Sequence, residues 1–156
     1  MSIARRVMNH LASQRVDYAV VAHPPAWSSQ QTAANAHVPG QCLAKSVLLE
    51  DDAGYVLAVV PADSHVDLAQ VHHLTNRRLG LATEYELASL FEDCDLGAIP
   101  PLGLLYGLET LVDDRLAEQP DVYFEAGDHE QLIHVSAETF DSLTEGARHS
   151  SFCRPL

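Results

Sequence analysis

Cys42-Leu43-Ala44-Lys45-Ser46-Val47-Leu48-Leu49-Glu50, then Asp51-Asp52-Ala53-Gly54, then Tyr55-Val56-Leu57-Ala58-Val59-Val60-Pro61 is the stretch that decides the architecture. Two apolar runs, the second rich in valine, flank a four-residue turn segment, the pattern of a β-hairpin. The first run, Cys42 to Leu49, reads as a buried strand and the second as its hairpin partner. The first carries Lys45, the single lysine of the chain; the other eight basic residues are arginines. An ammonium is a compact charge on a flexible stem and a guanidinium is a rigid fork, so one does not replace the other at a tight site. A cation within an apolar strand is costly unless something pairs with it. Two readings are open: a functional lysine, or a stem that snorkels from the strand edge in an arginine-rich protein.

Outward from the hairpin, helices and strands alternate irregularly. Apolar residues at helical spacing predict a helix over residues 2–16, and Tyr18 to Ala22 reads as a strand stopped by His23-Pro24-Pro25. Ser28 to Gln31 has capping-box spacing and opens a short Ala-rich helix to about Ala36. Asp67 to Leu74 reads as helix and Arg78 to Ala82 as a short strand; Thr83 to Glu86 caps a helix to about Phe91. A Gly/Pro-rich loop covers residues 92–107. Strands follow near Glu109 to Val112, Asp121 to Glu125 and Gln131 to Val135, and Ser136 caps a closing helix that Gly146 ends. No repeat, linker or low-complexity segment interrupts this order. The expectation is one α+β domain over residues 1–156, core about 19–145, with a mixed, mostly antiparallel sheet and surrounding helices.

Composition narrows the function classes. Hydrophobic residues make up 47% of the 156 residues, ordinary for a globular domain. No apolar run approaches the roughly 20 residues that cross a bilayer, so no membrane is expected. Three widely spaced cysteines form neither a CxxC pair nor a disulfide framework, which fits a reducing cytoplasm. The net charge of −13 argues against broad binding to DNA, which relies on Lys/Arg clusters. Any nucleic acid should be met through a small local site.

Three features carry chemistry. Lys45 and Ser46 are strand neighbours and so face opposite ways. Gly97-Ala98-Ile99-Pro100-Pro101-Leu102-Gly103 is either a preformed ligand loop, whose amides can meet an oxyanion, or a rigid crossover. Gly127-Asp128-His129 between two strands can place a water or hold an amine, or it simply makes a turn. Nine histidines raise the question of a metal, yet His10, His23, His37 and His65 lack ligand spacing and the adjacent His72 and His73 cannot share a helix face. Cys42 lies near Lys45 and is a conceivable nucleophile, though a small buried strand residue is the commoner role. No GxSxG, GxGxxG or GxxxxGK[ST] motif is present.

In this order, the lysine strand Leu43 to Leu49, its partner Tyr55 to Asp63, the segment Leu79 to Glu86, the loop Gly97 to Gly103 and Val122-Tyr123-Phe124-Glu125-Ala126-Gly127-Asp128-His129 resemble the YbaK/EbsC superfamily. That superfamily includes the editing domain of bacterial prolyl-tRNA synthetase and the free-standing ProXp proteins. The resemblance implies a trans-editing deacylase that hydrolyses the ester of mischarged tRNA with the substrate's own groups, using no metal, cofactor or protein nucleophile. It assigns Lys45, Gly97 and His129 to catalysis and Ser46, Ala98, Ile99, Pro100, Pro101 and Asp128 to substrate binding. Lys45 would hold the acceptor end, Gly97 to Pro101 would line the aminoacyl pocket, and His129 with Asp128 would hold the substrate. Ser46 stands where some relatives carry asparagine or threonine. Implied partners are the acceptor end of mischarged tRNA and an aminoacyl-tRNA synthetase. The alternative is a binding module of the same fold without turnover; a metal-dependent hydrolase using several histidines is a third reading. Pocket volume around Ile99 and Leu102 is the expected source of amino-acid specificity.

Overall fold

A computed structural model describes residues 2–26 and 28–156. The hairpin at the centre is β2 (Leu43–Asp51) and β3 (Gly54–Pro61), antiparallel from Ala44–Pro61 to Asp51–Gly54. Its turn closes on itself because Asp51 Oδ1 accepts from the amides of Ala53 (2.9 Å) and Gly54 (3.1 Å). Val56, Leu57, Ala58, Val59 and Val60 are all at 0% exposure, so β3 is covered on both faces as its unbroken apolar run requires. Burial of each of these valine and leucine side chains contributes about 1.5–3 kcal/mol.

The rest of the sheet grows from both sides of this hairpin. On one side lie β7 (Asp121–Glu125), β8 (Gln131–Ser136) and β1 (Ala19–Ala22); on the other lie β6 (Glu109–Asp113) and β9 (Arg148–Ser150). A two-residue strand, β5 (Gly80–Leu81), pairs with the far end of β2. A separate ribbon joins β4 (Ser64–Val66) to β10 (Cys153–Pro155). The sheet is mixed: β2–β7, β3–β6 and β6–β9 are parallel, and the other pairings among the described residues are antiparallel.

Helices cover both faces. Val7 and Leu11 of α1 (Arg5–Gln14) and Phe140 and Leu143 of α5 (Ala137–Leu143) pack with Leu57, Val59, Phe124 and Ile133 on one face. Val71 of α3 (Leu68–Thr75) packs with Val56, Ala58, Val60 and Phe152 on the other. The short helices α2 (Ser29–Asn35) and α4 (Glu84–Leu90) are each held by a side-chain cap. Ser28 accepts from the Gln31 amide, and Thr83 with Glu86 forms a complete capping box. Among the described residues no helix is long and apolar enough to cross a membrane.

The α+β mixed-sheet expectation and both hairpins match this architecture. The sequence reading assigned nothing after Gly146, yet β9 and β10 lie there. Three-residue strands carry no readable period, so distant partners alone define them.

The Gly/Pro loop enters the core at Gly103. A Cβ there would stand 2.3 Å from Thr110 Oγ1 and 3.1 Å from Leu57 Cδ2. Both neighbours are buried, and Thr110 Oγ1 is already committed to the Leu108 carbonyl at 3.0 Å. Gly103→Ala is therefore expected to cost about 1–3 kcal/mol of stability by overpacking. A urea-unfolding midpoint equal to that of wild type would contradict this.

Candidate functional site

The site forms where the sheet opens. β2 pairs with β7 only at Leu43–Tyr123 and Ala44–Phe124, and meets β5 only at Leu49–Leu81 and Glu50–Gly80. Between these contacts the edge of β2 from Lys45 to Leu48 has no strand partner among the described residues. The Gly97–Gly103 loop comes up against this gap. Ser46 Oγ donates to the Ile99 carbonyl at 3.1 Å. The loop is also tied to the β7–β8 turn, because Gly127 N donates to Ala98 O (2.8 Å) and Asp95 N to Gly127 O (3.0 Å). Three segments distant in sequence are thus fastened together by hydrogen bonds.

Two hollows sit at this junction and share Ser29 and Gly97 in their walls. The smaller, about 90 Å³, is bordered by Lys45, Ser46, Ile99, Leu87 and Glu125. The larger, about 570 Å³, is bordered by His129, Ala26, Ser28, Glu84 and Leu96. Lys45, Ser46, Gly97, Ile99 and His129 therefore come together round one cleft. The remaining residues named from sequence do not line it. Pro101 and Leu102 line a different, apolar hollow with His10 and Leu143. Ala98 and Pro100 are buried behind the loop. Asp128 is 5% exposed, with its two oxygens on the Glu130 amide (2.8 Å) and the Gln131 side chain (2.7 Å), so it holds the hairpin turn.

Lys45 is half-buried. Its Nζ donates to the Ser64 carbonyl at 2.5 Å. Burial lowers its pKa, and the nearby Asp63 and Cys153 partly oppose that shift. Cys42 is also buried, and its thiol pKa is raised, first by burial and then by Asp121 and Asp63. A raised thiol pKa disfavours the thiolate that a nucleophile needs. His129 is placed by two neighbours. Its Nε2–H donates to the Ala26 carbonyl at 2.5 Å, and its ring lies over Gly97, where a Cβ would stand 3.3 Å from Cε1. The Ala26 amide is 3.4 Å from the same nitrogen, too far to compete with the carbonyl.

The fold reveals a group that sequence reasoning missed. Glu125, at the end of β7, is 6% exposed and borders the smaller hollow. His23 Nε2 is 3.2 Å from its Oε1 and His129 Nδ1 is 3.8 Å away, yet neither contact has hydrogen-bond geometry. Both carboxyl oxygens and both facing ring nitrogens are buried without a partner. The two imidazole rings meet edge to face at 5.9 Å. Burial, and then the charge on Asp128, push the Glu125 carboxyl up to about 9. No local pattern announces this cluster. His23 reaches it because β1 pairs with β8 through Ala22–Gln131, which sets His23 N on the Glu130 carbonyl at 2.8 Å. The one sequence signal was the i, i+4 spacing of Glu125 and His129 within the last motif. Among the described residues no group of three His, Cys, Asp or Glu side chains is arranged to hold a metal.

Glu125 should mark the stability curve. A carboxyl whose folded pKa lies above its unfolded value, here about 9 against 4.5, keeps its full contribution below the unfolded value and loses it as pH rises towards the folded one. Wild type should weaken relative to Glu125→Gln from pH ~5 to ~9, by at most about 1.4 kcal/mol per pH unit. Denaturant midpoints at three pH values across that window test it; curves that stay parallel would contradict it.

Comparison with known proteins agrees with the geometry. The chain superposes on hypothetical protein APE2540 with a TM-score of 0.85 at 20% identity, covering 96% of this chain and 100% of that one. It also superposes on a protein proposed to be a trans-editing enzyme for prolyl-tRNA synthetase, with a TM-score of 0.82 at 23% identity over 96% of each chain. A third match is a protein from Marinobacter aquaeolei VT8 assigned to signal transduction. There the TM-score is 0.76 at 23% identity, over 97% of this chain but 31% of that one. At such identities these likenesses establish the fold. No curated protein matches the sequence. The family model for the aminoacyl-tRNA editing domain matches residues 23–143, from His23 in the buried cluster through the whole cleft to the end of α5, and to that family the chain belongs.

Proposed function

We propose that the protein removes the amino acid from mischarged tRNA in trans, as an ester hydrolase that uses the substrate's own groups and no protein nucleophile. The observation that carries the reading is the meeting of Lys45, Gly97 and His129, from three separate segments, round one cleft whose two hollows share a wall. Family membership supplies the substrate class.

An aminoacyl ester is already activated, so placement and charge stabilisation suffice. Holding the acyl carbon against a water or the adjacent ribose hydroxyl supplies several kcal/mol. Water adds to the carbonyl carbon, the ester C–O bond breaks, and the ribose oxygen leaves as a hydroxyl with the water's proton. Gly97 is the exposed member of its loop, so its backbone can approach the ester carbonyl closely. One well-placed oxyanion donor is worth about 3 kcal/mol. Lys45 meets the terminal phosphate: its flexible stem lets the amine leave the Ser64 carbonyl for a stronger, charged acceptor. Ile99 borders the smaller hollow and sets its volume, while Leu102 faces elsewhere, so specificity rests on Ile99. With a net charge of −13, contact is confined to the terminal nucleotide and amino acid, or a synthetase brings the tRNA.

The same acidity favours one rival, a binding module that docks a protein or an aminoacyl end without turnover. A panel of mischarged tRNAs separates the two. Editing predicts rapid release of at least one amino acid; measurable binding with no turnover on any member would leave the module.

A further inference from the structure

Four buried polar atoms without partners converge at the base of the cleft: Glu125 Oε1 and Oε2, His23 Nε2 and His129 Nδ1. The hydrogens of the two rings are assigned by their other nitrogens. His23 Nδ1 lies 2.8 Å from the Pro24 carbonyl and His129 Nε2 lies 2.5 Å from the Ala26 carbonyl. A carbonyl only accepts, so each of those nitrogens carries the hydrogen. In a neutral ring the opposite nitrogen is then a bare acceptor. Burial keeps Glu125 protonated at neutral pH, so the cluster brings at most one hydrogen to four buried atoms and is short of donors.

Buried acceptors without donors are costly, and such a cluster is complete only when a donor-rich group enters. The protein's own ammonium does not fill this role, because Lys45 turns away to the Ser64 carbonyl. Arg115 is likewise engaged with Ser64 and Asp63. The side chains of His23 and Glu125 are 0% and 8% exposed, so the site is walled off from water apart from the hollow that Glu125 borders. A primary ammonium carries three N–H donors and one positive charge; its charge favours ionised Glu125, whose proton leaves to solvent through the hollow, and the resulting carboxylate with two imidazole acceptors is its complement.

We propose that Glu125, flanked by His23 and His129, is the anchor for the α-ammonium group of the aminoacyl ester. This rests on the editing reading and deepens it, since every such ester bears that group next to its reacting carbonyl. The anchor fixes the acyl carbon relative to Gly97, because one end of the aminoacyl unit is held at Glu125 and the other at the ribose. It also gives selectivity for aminoacyl groups with a free amine over acyl groups that lack it, since a hydroxyl brings one donor and no charge and leaves acceptors unpaired.

The test uses the full-length protein and two non-hydrolysable probes. One is 3′-(L-alanylamino)-3′-deoxyadenosine; the other is its L-lactoyl counterpart, in which a hydroxyl replaces the amine. Wild type should bind the alanyl probe at least about 10-fold more tightly than the lactoyl probe, the order expected when a buried charged acceptor loses its partner. In Glu125→Gln the preference should disappear while lactoyl binding stays within about 2-fold, which also reports an intact cleft. Equal binding of both probes by wild type, binding of neither, or a parallel loss of both in the variant would overturn the anchor. Deacylation of mischarged tRNA is measured separately. Turnover without an amine preference overturns the anchor and leaves editing standing; an amine preference without turnover does the reverse.

Discussion

Lys45→Ala should abolish deacylation, with kcat/KM falling at least about 100-fold, while the protein stays folded. The size follows from removing a charged contact that fixes the reacting end of the substrate, worth about 3 kcal/mol or more. The fold should survive because β2 is held by its backbone. Eight residue pairs join it to β3, and its apolar side chains Leu43, Leu48 and Leu49 stay buried. The amine itself contributes one hydrogen bond, to Ser64 O, and is partly desolvated, so its loss is nearly balanced by relief of that burial. Lys45→Arg should fail as well, because a planar fork does not fit the position of a flexible ammonium beside the Ser64 carbonyl. Single-turnover release of amino acid, measured beside circular dichroism and urea unfolding, decides the matter. A well-folded alanine variant that keeps wild-type turnover would remove Lys45 from the mechanism.

Gly97→Ala is the second substitution with a large expected effect. Gly97 sits at φ +87°, a conformation that side chains other than glycine's rarely adopt. The added carbon would also meet the His129 ring at 3.3 Å from Cε1 and 3.7 Å from both nitrogens. Relief of either strain moves the loop away from the cleft or turns the imidazole off the Ala26 carbonyl. A loss of about 10- to 100-fold in kcat/KM is expected, comparable to a misplacement of about 1 Å at a reacting group. Part of that loss acts through the imidazole. In a His129→Ala background the ring contact is gone, so Gly97→Ala should cost distinctly less there. Full additivity in this double-mutant cycle would show that the glycine and the imidazole act independently.

The buried acid has a consequence for both stability and selectivity. Glu125→Gln is expected to gain stability relative to wild type as pH rises above ~5 and to be less able to recognise an amine. A group that weakens the fold and is kept at the base of a cleft is the pattern of a site whose strain serves binding.

Much of this molecule was legible in its residues because the relevant physics is local. The β2–β3 hairpin announces itself through two long apolar runs and an Asp-containing turn that bonds its own amides. The starts of α2, α4 and α5 follow from Ser28, Thr83 and Ser136, whose side chains cap the next amides. Lysine within an apolar strand and a Gly/Pro-rich loop are both legible as local patterns, and the fold brings Lys45 and Gly97 to the wall of one hollow. Tertiary structure alone decided four things. It placed Pro101 and Leu102 on a different hollow, and it spent Asp128 on its own turn. It split β2 from β7 to open the cleft, through parallel pairing of residues 80 apart in sequence, Leu43 with Tyr123 and Ala44 with Phe124. And it buried Glu125 between His23 and His129, although a glutamate at a strand end reads as a solvated charge. Capping and periodicity are encoded within a few neighbouring residues, whereas burial, strand order and the facing of acceptors depend on contacts that exist only once distant segments have met.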